Sequence, residues 1–161
     1  MAKGHIKYSE GQWFAVPLRD GGYALGIIVR GNYKTKGGLG YFFGPRYAKV
    51  PDAEKTFEKK PEEAVLIALF GDLGIISGRW PLVQSTRPFS VEDWPIPLFS
   101  APIRLIPEKA YIREYQQDDS GVLRIARQEV VDLKDVVNLP SDKSMGGGSV
   151  ETRLSELLIE I

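Results

Sequence analysis

The chain contains no cysteine and a single histidine, His5. Without thiols there is no disulfide framework, no thiolate zinc site and no cysteine nucleophile. One imidazole beside the N-terminus cannot build a histidine metal centre. It also leaves Ser9, Ser77, Ser85, Ser90 and Ser100 without a nearby base, which excludes a Ser-His-Asp arrangement. Charge of one sign is missing too: 21 basic residues balance 21 acidic ones, so the net charge is zero. A general nucleic-acid binder carries a basic excess, and no nucleic-acid partner is expected here. No apolar run approaches the roughly 20 residues of a membrane helix. Met1–His5 lacks the apolar core of a signal peptide. The expectation is a soluble, cytoplasmic protein with no membrane partner.

What is present is ordinary globular material, 161 residues with 43% hydrophobic and 26% charged side chains, enough for one domain over residues 1–161. Its 17 glycines and 11 prolines are scattered between short apolar runs, the punctuation of a β-rich chain. Trp13 to Leu18 and Tyr23 to Arg30 flank Asp20-Gly21-Gly22, which predicts an opening hairpin. Leu39-Gly40-Tyr41-Phe42-Phe43 predicts a third strand that ends at Gly44-Pro45, since proline cannot donate to a ladder. The charged stretch from Asp52 to Glu63, broken by Pro51 and Pro61, reads as a surface loop with at most a short helix. Ala64 to Phe70 is continuously apolar; its β-branched pair and Gly71 favour a strand, and Glu62 to Phe70 as a helix is the alternative. A further run, Ile75 to Trp80, ends at Pro81 and is continued weakly by Leu82-Val83. The prolines from Arg87 to Pro107 keep regular structure there short. Ala110 to Tyr115 and Val122 to Ala126 flank Gln117 to Gly121 as a second hairpin. Residues 141–149, with Gly146-Gly147-Gly148, read as a flexible linker. Beyond it Val150, Leu154, Leu157, Leu158 and Ile161 fall on one face of a helix over 150–161, with Ser149 as its cap. The predicted fold is mainly β, a bent antiparallel sheet or partly open barrel with a short C-terminal helix; α+β is the alternative.

Catalytic equipment is not legible. Asp118-Asp119 sits beside Ser120-Gly121, where aspartate serves a turn. Glu62-Glu63 fits a helix start, and neither pair has calcium-loop spacing. Gly37-Gly38-Leu39-Gly40 lacks the lysine of a phosphate loop. No carboxylate pair stands out for glycoside hydrolysis. The chain therefore reads as a binding protein rather than an enzyme, with no cofactor and no metal. Aromatic rings crowd the first third of the chain. Most such rings fill cores, but an exposed ring or arginine is the usual interface anchor. By residue type the candidate partner contacts are Trp13, Tyr23, Tyr41, Phe43, Arg46, Asp72, Arg79 and Trp80.

Several motifs occur in a telling order: Gly11-Gln12-Trp13-Phe14-Ala15-Val16-Pro17-Leu18, Gly22-Tyr23-Ala24-Leu25-Gly26, Gly40-Tyr41-Phe42-Phe43-Gly44, Leu69-Phe70-Gly71-Asp72-Leu73-Gly74 and Gly78-Arg79-Trp80-Pro81. In this the chain resembles the immunity protein 26 family of bacterial polymorphic toxin systems. The resemblance implies a small cytoplasmic protein that protects its producer by binding a cognate toxin domain and covering its active site. It supplies no interface, because immunity proteins meet different toxins with different surfaces. Inhibitors of basic nucleases present acidic faces. A neutral chain must either segregate its acids on one face or serve a toxin that is not strongly basic. A competing reading is a β-barrel holding a sugar or nucleotide on the Trp13 to Tyr47 aromatics. The terminal helix docks on its own sheet, or exchanges between protomers to make a homo-oligomer.

Overall fold

A computed structural model of the chain describes residues 6–159. His5 and Ile161, used above, lie outside the described residues. β1 (Trp13–Pro17) and β2 (Tyr23–Asn32) form the opening hairpin, with Trp13 opposite Ile27 and Pro17 opposite Tyr23. The reversal depends on glycine at Gly22. Its φ is +79°, and a Cβ there would lie 2.6 Å from the carbonyl oxygen of Tyr47.

β3 (Gly37–Tyr47) continues through Gly44-Pro45 instead of ending there. Its ladder to β4 (Leu66–Gly71) stops at Phe42, and its ladder to β2 slips between Tyr23 and Leu25. Pro45 therefore sits where no ladder bond is asked of it. The apolar run before Gly71 is a strand, and the helical alternative is overturned. Ala68 and Phe70 face one core cluster while Ile67 and Leu69 face the other, so both sides are covered and polar residues have no place in it. The charged stretch gives a one-turn helix, α1 (Glu54–Phe57), and a 3₁₀ turn at Pro61–Glu63. The run beginning at Ile75 is not extended: α2 (Leu73–Ile76) is one helical turn, and β5 (Leu82–Val83) follows it. That turn brings Gly74 against the Trp80 ring, where a Cβ would come within 2.5 Å.

The first sheet has the order β4-β3-β2-β1-β5. Alternation along its strands sends Phe14, Val16, Ile28 and Phe42 to one face and Trp13, Ala15, Ile27, Tyr41 and Phe43 to the other. α3 (Gly147–Leu157) seals the first face with Val150 and Leu154, both fully buried. A second antiparallel sheet, β6 (Phe99–Pro102), β7 (Lys109–Gln117) and β8 (Leu123–Asp132), contributes Phe99 and Tyr115 to the other face. Neither sheet closes into a barrel. Asp118 serves the turn of the β7–β8 hairpin as expected, accepting the backbone N–H groups of Ser120 (2.9 Å) and Val122 (3.0 Å).

The glycine run does not behave as a linker. Met145 donates its N–H to the Leu69 carbonyl and accepts from Gly71, both at 2.9 Å, so the segment is stitched to the edge of β4. Gly146 is the cap, and the helix begins at Gly147 rather than at 150; Ser149 lies inside its first turn.

Candidate partner-binding surface

The structure separates the residues that sequence pattern grouped as contacts. Trp13, Tyr41 and Phe43 are buried around Trp94, whose ring meets all three edge-on at 5.2–6.0 Å. Trp80 is fully buried between Phe14 and Phe70. Asp72 is buried and accepts the Tyr8 hydroxyl at 2.7 Å; burial and that carboxylate push the Tyr8 pKa far up. Tyr23 is half-buried against the same cluster as Trp13. Five of these six are buried in the core, and Tyr23, half-buried, lines it. The sugar or nucleotide reading loses its aromatic surface for the same reason. A groove of about 570 Å³ between Ala64–Ala68 and Asn138–Met145 has no aromatic lining.

Arg46 and Arg79 hold the chain's own helix. Arg46 donates to the Leu158 carbonyl through Nη2 (2.9 Å) and to Gly21 O through Nη1 (2.7 Å), and pairs with Asp20. Arg79 makes a two-pronged pair with Glu151: Nε to Oε2 at 2.6 Å and Nη2 to Oε1 at 2.8 Å. The Trp80 indole N–H donates to the same carboxylate at 2.8 Å, and Arg19 stands 3.6 Å away. Glu151 is only 2% exposed. The Arg79 bonds hold its carboxyl below the ordinary glutamate range despite burial, which pulls the other way. The helix stripe faces inward and Glu151 is the polar pin that fixes it.

Arg87 lies over the rings of Trp13 (5.6 Å) and Trp94 (5.2 Å), and its Nη1 donates to the carbonyls of Thr56 (2.5 Å) and Lys59 (2.6 Å). Thr56 also shares a 2.7 Å hydroxyl bond with Ser85. Lys59 turns inward and donates to Gly44 O (2.9 Å) and the Tyr47 hydroxyl (2.7 Å). Residues 54–59 are thus clamped from beneath to the core. Phe57, between the clamped residues, points outward and is 53% exposed. In the same stretch Asp52, Glu54, Glu58, Glu62 and Glu63 are exposed, Glu58 pairing with Lys55 at 3.9 Å, and Asp93 acts on Arg87 from the turn at Val91–Asp93. Two of the nearby cations, Lys59 and Arg87, are drawn inward; burial lowers the Arg87 pKa. Lys55 and Lys60 are the cations left among residues 50–65. Residues 50–65 thus expose more carboxylates than cations beside one exposed ring.

Composition concealed this ridge, because charged stretches are usually only solvated loops. The available signal was Phe57 itself, a lone ring inside a charged run. Among the described residues no cluster of three or more acidic or histidine side chains has metal-binding geometry, and no helix is long and apolar enough to cross a membrane.

Fold and surface define the class: a two-sheet β protein with most of its aromatics in the core and a small clamped ridge displaying a phenyl ring among carboxylates. The chain belongs to the immunity protein 26 family, whose model matches residues 9–110. That span runs from before β1 to the start of β7 and includes the whole ridge; most of β7, all of β8 and α3 lie beyond it. No curated protein and no solved structure matches the chain.

Proposed function

We propose that this immunity protein neutralises a cognate protein toxin in the cytoplasm of its producer by seating the Phe57 ridge on the toxin and obstructing its active site. The observation that supports this reading is Phe57: a half-exposed ring on a segment that Arg87, Thr56 and Lys59 hold rigid. A preorganised aromatic anchor loses little entropy on binding, and rings of this kind dominate interface energetics. The surrounding carboxylates give the ridge a field that attracts a basic toxin face and speeds encounter. Inhibition by coverage needs no chemistry from this chain.

Co-expression with the toxin domain encoded beside this gene tests the proposal. The wild-type chain is expected to rescue growth and co-purify with the toxin, and Phe57→Asp to lose both while remaining folded. Full rescue and an unchanged complex with Phe57→Asp would remove the ridge from the interface.

A further inference from the structure

Among the described residues the two sheets have four outer edges, and three are dealt with. The outer edge of β4 is bonded by Met145, β5 is only two residues long, and β6 exchanges backbone bonds with Pro140 and Asp142. β8 is different. It is a ten-residue edge strand, exposed through its middle, and among the described residues no other segment bonds along its outer side. Long bare edges invite pairing, and proteins normally shorten or cover them.

The sequence along this edge is self-complementary. In Arg124-Ile125-Ala126-Arg127-Gln128-Glu129-Val130-Val131-Asp132, basic residues lie before Gln128 and acidic residues after it. Antiparallel pairing of two β8 strands about a two-fold axis through Gln128 sets Arg127 opposite the second copy's Glu129, twice. These two side chains share a face, since Arg127 pairs with Glu114 and Glu129 with Ile112 across the β7 ladder. A bulge at Ala126 absorbs one residue, because Glu114 faces Arg127 while Tyr115 faces Ile125. On the opposite face the pairing then brings Ile125 of one copy beside Val130 of the other. These are the most exposed large apolar side chains of the strand, at 47% and 56%. Moving the axis by one residue sets Arg127 opposite itself or Gln128 opposite Val130, and in both cases parts Ile125 from Val130.

We propose that β8 is a homodimer interface, with two chains joined edge to edge about Gln128 into one continuous six-stranded sheet. The second copy fits better than a foreign strand because charge and apolar pattern match this sequence reversed upon itself. The assembly is closed: once β8 is paired, the remaining outer edges are the two β6 strands, already covered by Pro140 and Asp142. β8 shares no residue with the Phe57 ridge, so this proposal stands or falls independently of toxin binding.

Sedimentation equilibrium on the full chain, from micromolar to about a hundred micromolar, tests it. The wild type is expected to reach a dimer mass. Glu129→Arg and Arg127→Glu alter solvent-exposed side chains and keep the fold. Each is expected to raise the dimer dissociation constant roughly thirtyfold, because each change acts twice across the axis. The double swap, Arg127→Glu with Glu129→Arg, restores the opposition of charges and is expected to return the constant to within about threefold of wild type. The chain has no cysteine, so Gln128→Cys offers one thiol at the axis, and a short bismaleimide is expected to join two copies. A wild type that remains monomeric throughout the range overturns the proposal. So does a dimer indifferent to both single changes, or a double swap no better than either single. A β8 edge that captures only the toxin, with no self-association, is the monomeric outcome and counts against it.

Discussion

Replacing Glu151 by alanine is the most informative perturbation of the fold. Trp80 is fully buried, and its indole N–H has the Glu151 carboxylate as its partner at 2.8 Å. Removing the carboxylate orphans that donor, at a cost of about 1–3 kcal/mol. It also removes the two short bonds from Arg79 and the packing of the glutamate stem beneath α3. Arg79 is largely exposed, so water replaces much of its lost interaction and that contribution is small. The sum is about 3 kcal/mol, which for a chain of this size lowers Tm by roughly 6–12 °C. Glutamine keeps an oxygen for the indole and loses only the charge, so Glu151→Gln is expected to cost about 1 kcal/mol. The pH dependence carries a sign. The folded state holds the Glu151 carboxyl below its ordinary value of 4.5, so its stabilisation is complete above pH 4.5 and is lost as pH falls through the folded value. The gap between wild type and Glu151→Gln must therefore narrow in acid. Calorimetric melting and urea titration at several pH values measure all of this. A Glu151→Ala protein within about 0.5 kcal/mol of wild type would refute the assignment of Glu151 as the pin of α3.

Three further outcomes follow from the packing. Phe57→Ala is expected to leave stability within about 0.5 kcal/mol of wild type, because the ring is half in water, yet to weaken toxin binding roughly thirtyfold. Arg87→Ala should do both, losing about 2 kcal/mol of stability with the stacked and hydrogen-bonded guanidinium and also weakening binding; paired urea and calorimetric titrations separate the two effects. Gly40→Ala would place a methyl 2.7 Å from the Phe70 ring and 2.9 Å from Phe42, and chemical denaturation should register a loss of about 1–3 kcal/mol.

Strand content was legible because its signals are local. Asp20-Gly21-Gly22 between apolar runs specifies a hairpin with no help from the rest of the chain, and Asp118 with Gly121 does the same for the second. Alternation along Tyr41-Phe42-Phe43 put rings on both faces of one strand, and the structure covers both. The boundaries that moved depend on distant partners. Gly146-Gly147-Gly148 resembles a linker until Met145 is seen bonded to β4 and Gly147 close to the Trp80 ring. Pro45 looks like a stop until the ladder slip beside it is known. The partner surface was the least legible part. Residue type favours tryptophan, tyrosine and arginine, but the core and α3 claim the same types, and Arg79 with Trp80 turned out to embrace Glu151. The contact proposed above rests instead on an apolar ring left outside on a clamped segment. The Arg87 clamp that supplies the support joins residues 28–31 positions apart.

The most direct measurement is a calorimetric titration of the purified chain into the toxin domain encoded beside its gene, with the toxin's activity followed in the same mixture. A one-to-one complex that abolishes activity, with Phe57→Ala binding roughly thirtyfold more weakly, is the result predicted. Absence of a complex, or a complex in which the toxin stays active, would contradict the account.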